Sequence, residues 1–371
     1  MLPTTAPRPF LESGTVRAHW WHPAGDGRFQ CDLCPRACRL APGQRGFCFV
    51  RDADAHGLRL TSYGRASGFC IDPIEKKPLN HFFPGTSVLS FGTAGCNLGC
   101  RFCQNWDISK ARSADRLSES AMPDAIARAA AEAGCRSLAF TYNDPVIFAE
   151  YAIDCALAAR ERGLASVAVT AGYILAGART EFYRPMDAAN VDLKAFSEAF
   201  YKRQCIGELA PVLETLCWLK RETSVWLEVT TLLIPGLNDS EREIGRLCDW
   251  YLENLGPDTP LHFTAFHPDY KLTELPPTPP STVRKARRWA MEAGLRYVYT
   301  GNIRDPAGQT TTCPRCQATL VARDGYELRR WGLTPDGACA ECGEKVPGRF
   351  DKRPGSWGSR RERLRIGSQS Q

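Results

Sequence analysis

The chain has 371 residues, 43% of them hydrophobic, and a formal net charge of +6. That length holds one barrel-sized domain with small appendages, and the sequence has no run of about 18 apolar residues to span a bilayer. The start, Met1-Leu2-Pro3-Thr4-Thr5, lacks the charged and apolar regions of a secretory signal, so a cytoplasmic protein is expected.

The 17 cysteines are many for this length, and eight of them come as C-x2-C pairs. In a reducing compartment such pairs read as metal ligands rather than disulfides. Residues 1–27 are Pro-rich and weakly patterned, an N-terminal extension. A Cys-rich module is expected over 28–80. In it Cys31, Cys34 and Cys38 are closed by Cys48, with Pro35, Pro42, Gly43 and Gly46 between. Zinc would satisfy four thiolates in a tetrahedron. An auxiliary iron–sulfur cluster would take the same ligands. The spacing leaves both open, and with them a structural or an electron-relay role.

Ser87-Val88-Leu89-Ser90-Phe91 reads as a strand and feeds Cys96-Asn97-Leu98-Gly99-Cys100-Arg101-Phe102-Cys103. Three thiols at C-x3-C-x2-C can wrap one corner of a cubane cluster. A fully protein-ligated [4Fe–4S] cluster needs four. Three leave one iron open, as a catalytic metal requires. Gly95 and Gly99 let the loop curl tightly. A zinc knuckle would want a fourth ligand at matching spacing, and no Cys or His follows closely.

From Ser87 to about Thr300 strands and helices alternate, which predicts a parallel sheet. Strands are expected at 87–91, 137–141, 165–170, 190–193, 226–233, 261–266 and 297–299. Helices are expected at 119–133, 146–162, 240–252 and 281–293, with Gly134, Gly163 and Gly294 at C-cap positions. Six or so β/α units cannot close an eight-stranded barrel. The fold class is therefore α/β, an open, partial TIM-like barrel over 81–305, with reactive groups at the C-terminal strand ends. Asn143, Asp144, Asp192, Lys194 and His267 all fall there. Each also has a plainer reading. Asn143-Asp144-Pro145 fits a turn and helix cap. Asp192 and Lys194 share a strand face and fit a structural ion pair. His267 before Pro268 fits a loop.

Beyond the barrel, Cys313, Cys316, Cys339 and Cys342 form two knuckles about 22 residues apart, a zinc-ribbon pattern over 306–350 with a hairpin at 320–331. Residues 351–371 form a basic tail, read as flexible or as a contact for RNA or another polyanion. Cys70, Cys135, Cys155, Cys205, Cys217 and Cys248 are scattered and read as buried apolar residues.

The cysteine loop resembles the signature of the radical S-adenosylmethionine (SAM) superfamily. The longer run Cys96 to Trp106, with Cys31-to-Cys48, Thr141-to-Pro145, His262-to-Tyr270, Tyr299-to-Asn302 and the terminal ribbon, resembles the radical SAM enzyme of the AmmeMemoRadiSam system, a relative of pyruvate formate-lyase activating enzymes. The resemblance implies that Cys96, Cys100 and Cys103 ligate a [4Fe–4S] cluster whose open iron is chelated by SAM. It implies that Phe102 lies near the adenine. Asn143-Asp144-Pro145 stands where the superfamily carries Gly-Gly-Glu-Pro for the SAM amine, with Asp in place of Glu. Asp192 and Lys194 resemble an Asp-x-Lys pair holding the ribose and carboxylate, and residues 234–239 a Pro-Gly-x-Asn-Asp loop near the adenine. His267 joins them as a candidate cofactor contact.

The expected function is reductive cleavage of SAM to a 5′-deoxyadenosyl radical that takes hydrogen from a substrate. A glycyl-radical-enzyme activase is the narrower alternative. A non-catalytic metal-binding or nucleic-acid adaptor is the alternative from another class. Expected partners are an electron donor such as flavodoxin or ferredoxin and proteins of the same system.

Overall fold

The computed structural model describes residues 8–111 and 119–366. Its centre is a ten-stranded sheet. Seven strands are β1 (Ser87–Gly92), β2 (Ser137–Phe140), β3 (Ala165–Thr170), β4 (Ala188–Asp192), β5 (Trp226–Leu233), β6 (Leu261–Ala265) and β7 (Val298–Gly301). They lie side by side in chain order and every pair is parallel. The helices Pro123–Glu132, Ala149–Glu161, Ala176–Tyr183, Ala210–Glu222, Glu241–Asn254 and Pro280–Glu292 join them. Six β/α units and a last strand follow, as expected of a partial barrel of the radical SAM type. β1 and β2 are buried along their whole length, because a parallel strand is covered on both faces. The order also delivers every C-terminal strand end to one rim.

The barrel stays open. Arg65–Pro73 runs antiparallel to β1, and Glu119–Ser120 and Glu362–Arg363 pair with it in turn. The tail thus differs from the expectation of a flexible segment over its described part. Residues 362–363 add a strand, and Ile366 is buried behind them. Few apolar residues announce this, because main-chain bonds to an edge strand need no side-chain pattern.

Two of the six helices that join the parallel strands escape the sequence pattern. Ala176–Tyr183 is short and contains Gly177, and Ala210–Glu222 has Pro211 in its first turn and carries Thr215 and Trp218. The described part of the weakly patterned N-terminal extension also carries strands. Thr15–Arg17 pairs with Gly57–Leu60, and Trp21–Pro23 pairs with Phe29–Cys31. Strands of three or four residues are too short to show alternation. Arg51 fastens this module to the barrel. Its buried guanidinium bonds Glu150 of the helix Ala149–Glu161 and the carbonyl of Ile147 at 3.1 Å.

The C-terminal module is the expected hairpin, Thr319–Asp324 with Glu327–Trp331. His81 holds it against the barrel. Its Nδ1 lies 2.7 Å from the Pro347 carbonyl and its Nε2 lies 2.5 Å from the Tyr299 hydroxyl. A carbonyl only accepts, so Nδ1 carries the proton and Nε2 accepts from Tyr299. Burial lowers the His81 pKa from 6.5 to about 4. The unfolded chain therefore binds a proton that the folded chain refuses between those values. Stability is full above pH 6.5 and falls as the pH drops toward 4, by up to about 3 kcal/mol. Thermal unfolding of the wild type against pH should show this slope, and His81→Gln should flatten it. An equal slope in both would remove His81 from the account.

Candidate functional site

The loop after β1 folds back into the barrel mouth. It is held by bonds to its main chain from several elements. The Asn143 side chain, at the end of β2, accepts from Thr93 N at 3.1 Å and donates to Gly95 O at 2.8 Å. The Asn97 amide donates to Tyr173 O after β3 at 2.9 Å. Lys110 Nζ caps Leu98 O at 2.7 Å. Gly99 N donates to Cys205 O at 2.8 Å and Arg101 N to Gln204 O at 2.9 Å. The packing is tight: a Cβ on Gly99 would fall 2.6 Å from Ile206, and one on Gly95 only 2.0 Å from the Cys48 carbonyl.

This curl turns Cys96, Cys100 and Cys103 into one cavity of about 290 Å³. Phe102, Asn143, Asp144, Asp192 and Lys194 line the same space. All seven strands or their following loops contribute to it. Burial pushes the Cys96 thiol up to about 12. A hydrogen bond with Cys205 brings Cys100 down to about 7, against burial and with help from Lys194 and Lys110. Cys205 is wholly buried and held as a thiol well above its usual range, chiefly by that burial. It is thus a hydrogen-bond donor to Cys100, and it does not line the cavity. The sequence reading as a plain apolar cysteine missed this, since Cys100 and Cys205 meet only through the fold.

Lys194 Nζ lies 2.5 Å from Asp192 Oδ2. Burial works against its charge, but Asp192 and Cys100 hold its pKa above the lysine range. Oδ1 of Asp192 keeps its lone pairs for a guest. Asp144 is more committed. Its carboxylate accepts from Val146 N at 3.0 Å, Thr170 Oγ1 at 2.9 Å and Ala171 N at 3.0 Å, and so ties β2 to β3. Burial raises its pKa. Phe102 packs against Phe200, ring centres 5.8 Å apart.

His267 stands apart. Its ring is exposed, 4.0 Å from Asp269, and it is outside the cavity lining. Phe266 takes the buried place after β6 and bonds Thr278, so the next residue turns outward before Pro268. Thr230, paired with Asp192 across the sheet, was not foreseen. Its buried hydroxyl has no partner and it lines the cavity. Gln104 Nε2 is also buried there without a partner. A threonine inside a strand carries no signal in a single sequence.

The two cysteine quartets differ. Cys313 lies 3.6 Å from Cys342, and Cys316 lies 3.7 Å from Cys339, sulfur to sulfur. All four sulfurs fall within 4.8 Å of one another. A tetrahedron with bonds of about 2.3 Å has edges of about 3.8 Å, so this set fits a zinc-ribbon-like module. Cys31, Cys34 and Cys48 are buried. Burial and the neighbouring thiols Cys31 and Cys48 raise the Cys34 pKa.

Residues 91–248 match the model of the Radical SAM superfamily. An uncharacterized protein of Methanocaldococcus jannaschii is 39% identical over 330 residues, which cover 89% of this chain and 98% of the relative. The chain belongs to the radical SAM superfamily. Among solved structures, a radical SAM methyltransferase from Sphaerobacter thermophilus is similar over 62% of this chain and 71% of its own, at 17% identity and TM-score 0.48. A domain of pyruvate-formate lyase-activating enzyme from Bacteroides vulgatus is similar over 45% of this chain and 99% of its own, at 15% identity and TM-score 0.40. Radical SAM membership implies a [4Fe–4S] cluster and SAM, and three inward thiols beside unpartnered polar groups fit both. Among the described residues no helix is long and apolar enough to cross a membrane.

Asn143→Ala leaves Thr93 N and Gly95 O buried without their partner, a cost of about 1–3 kcal/mol. Anaerobic reconstitution should then load clearly less iron than in the wild type. Full iron loading in a folded Asn143→Ala protein would show that the loop holds its curl unaided.

Proposed function

We propose that this chain binds SAM at a [4Fe–4S] cluster held by Cys96, Cys100 and Cys103, cleaves it reductively, and uses the 5′-deoxyadenosyl group to take hydrogen from a substrate. One observation carries the reading. Among the described residues, three thiols and no fourth cysteine or histidine line a cavity that also holds the Asp192–Lys194 pair. The bound cluster supplies the electron, and SAM supplies the group that abstracts hydrogen.

The chain's own residues orient and exclude. Lys194 offers a positive charge for a carboxylate, and the open Oδ1 of Asp192 accepts from a hydroxyl. Phe102 gives an apolar wall. Asp144 acts mainly through its three local bonds, which set the position of β2 against β3. Buried walls keep water from a reactive carbon centre.

A second cavity of about 750 Å³ adjoins the first and shares Gln104, Asn105, Tyr142 and Asn302 with it. Tyr326 and Glu327 of the C-terminal hairpin line its far side. The substrate is proposed to enter here, across the open side of the barrel and under the ribbon. The ribbon is proposed to hold zinc. A protein from the AmmeMemoRadiSam system is the proposed partner or target, on the motif resemblance alone, with a flavodoxin or ferredoxin as electron source.

Reconstituted protein given dithionite and SAM should release 5′-deoxyadenosine, and Cys100→Ala should not. Asp192→Ala should weaken SAM binding by about tenfold, the loss of one charge-assisted hydrogen bond. No 5′-deoxyadenosine from cluster-loaded wild type would overturn the reading, and unchanged SAM affinity in Asp192→Ala would free that residue from the site. Cys339→Ser should lose about one zinc per chain and lower the unfolding temperature. Retained zinc would separate that metal from the ribbon.

A further inference from the structure

Cys31, Cys34, Cys38 and Cys48 have no part in the chemistry above. Their module nonetheless packs against the loop that carries it. The Cys48 carbonyl presses on Gly95, the residue before the first catalytic cysteine. Arg36, between Cys34 and Cys38, donates from Nε to Asn97 O at 2.8 Å, and Leu175 N bonds Leu33 O at 3.1 Å. A small cavity of about 180 Å³ is lined by both Cys48 and Cys96. The loops carrying the two sets of thiols therefore touch.

The spacing of the sulfurs separates two kinds of metal. A single zinc draws four sulfurs to about 3.8 Å apart, and the C-terminal quartet has pairs at 3.6 and 3.7 Å. A cubane puts four irons between its thiolates and must hold them farther apart. Among the described residues, the C-terminal quartet is the set of three or more ligands whose donor atoms all lie within 4.8 Å. No three of Cys31, Cys34, Cys38 and Cys48 meet that limit, and Cys96, Cys100 and Cys103 do not meet it either. The N-terminal quartet thus shares its wide spacing with the cluster loop and not with the ribbon. The buried guanidinium of Arg51 lies beside Cys31 and Cys48, a positive charge next to two of the four sulfurs.

We infer that Cys31, Cys34, Cys38 and Cys48 hold a second iron–sulfur cluster that passes an electron to the catalytic one. The relay rests on the function proposed above, while the cluster itself does not. One electron leaves a low-potential protein of flavodoxin or ferredoxin class and reduces the N-terminal centre. The same electron then moves to the centre at Cys96, Cys100 and Cys103. Each centre gains and loses one electron, and no bond is made or broken. Contact between the ligand loops keeps the transfer path short.

The test uses the full chain reconstituted without oxygen. Wild type should hold roughly eight irons per chain, and the Cys96→Ala/Cys100→Ala/Cys103→Ala variant roughly four, with a reducible paramagnetic signal. About four irons in wild type, none in that triple variant, and a second zinc at the N-terminal quartet would overturn the inference and leave the catalytic reading intact. All of the wild-type iron retained in the triple variant would instead sink the catalytic reading. For the relay, Cys34→Ala/Cys38→Ala should slow SAM cleavage at least about tenfold with a reduced flavodoxin-class donor and far less with dithionite. Equal rates relative to wild type with both reductants would overturn the relay. Iron counts on unmutated protein decide the cluster even if a variant fails to fold.

Discussion

Three sulfurs can share one cluster only if the backbone between them keeps a fixed curl, and that curl is imposed from outside the loop. Asn143 grips Thr93 and Gly95, Lys110 and the Tyr201–Cys205 turn hold the middle, and Tyr173 and Arg36 reach Asn97. These bonds come from the ends of β2 and β3, from the segment after β4, and from the N-terminal module. The loop is therefore a product of the whole rim. A parallel sheet in chain order is what brings these groups to one side. The glycines matter here for one reason: Gly95 and Gly99 stand where a Cβ would strike neighbouring atoms.

The same logic extends outward. Arg51 and Glu150 form a buried ion pair at the junction of module and barrel. Losing one partner of such a pair strands the other charge, a cost of about 3–5 kcal/mol. At the other end, Arg323 of the hairpin donates to Asn80 O at 2.7 Å and His81 reaches Pro347. The open side of the barrel is thus framed by two cysteine-rich modules, each fixed by buried polar contacts. The larger cavity lies under the C-terminal one.

Much of this was legible in the sequence. All seven parallel strands fall where apolar runs placed them, because a strand buried on both faces cannot hide its composition. The C-x3-C-x2-C loop and the terminal quartet were legible because ligand spacing is local. Asp192 and Lys194 were legible as near neighbours, although the strand ends at Asp192 and Lys194 follows it. Contacts between distant segments were not. Cys205 looks like any buried cysteine until the turn that carries it packs under Cys100. Thr230 gains meaning only beside Asp192. His267 illustrates the converse: it sits at a strand end in sequence, but Phe266 takes the inward place and sends it to solvent. The strand at Glu362–Arg363 depends on main-chain pairing, which side chains do not advertise.

The central claim is that one iron of the Cys96–Cys103 cluster is free of protein ligands and is taken by SAM. Hyperfine spectroscopy on the reduced, reconstituted protein with isotope-labelled SAM tests it most directly. The account predicts direct coupling from the labelled amino nitrogen and carboxylate oxygen of SAM to the cluster spin. A reduced cluster that binds with all four irons held by the protein, and shows no such coupling at saturating SAM, would contradict it.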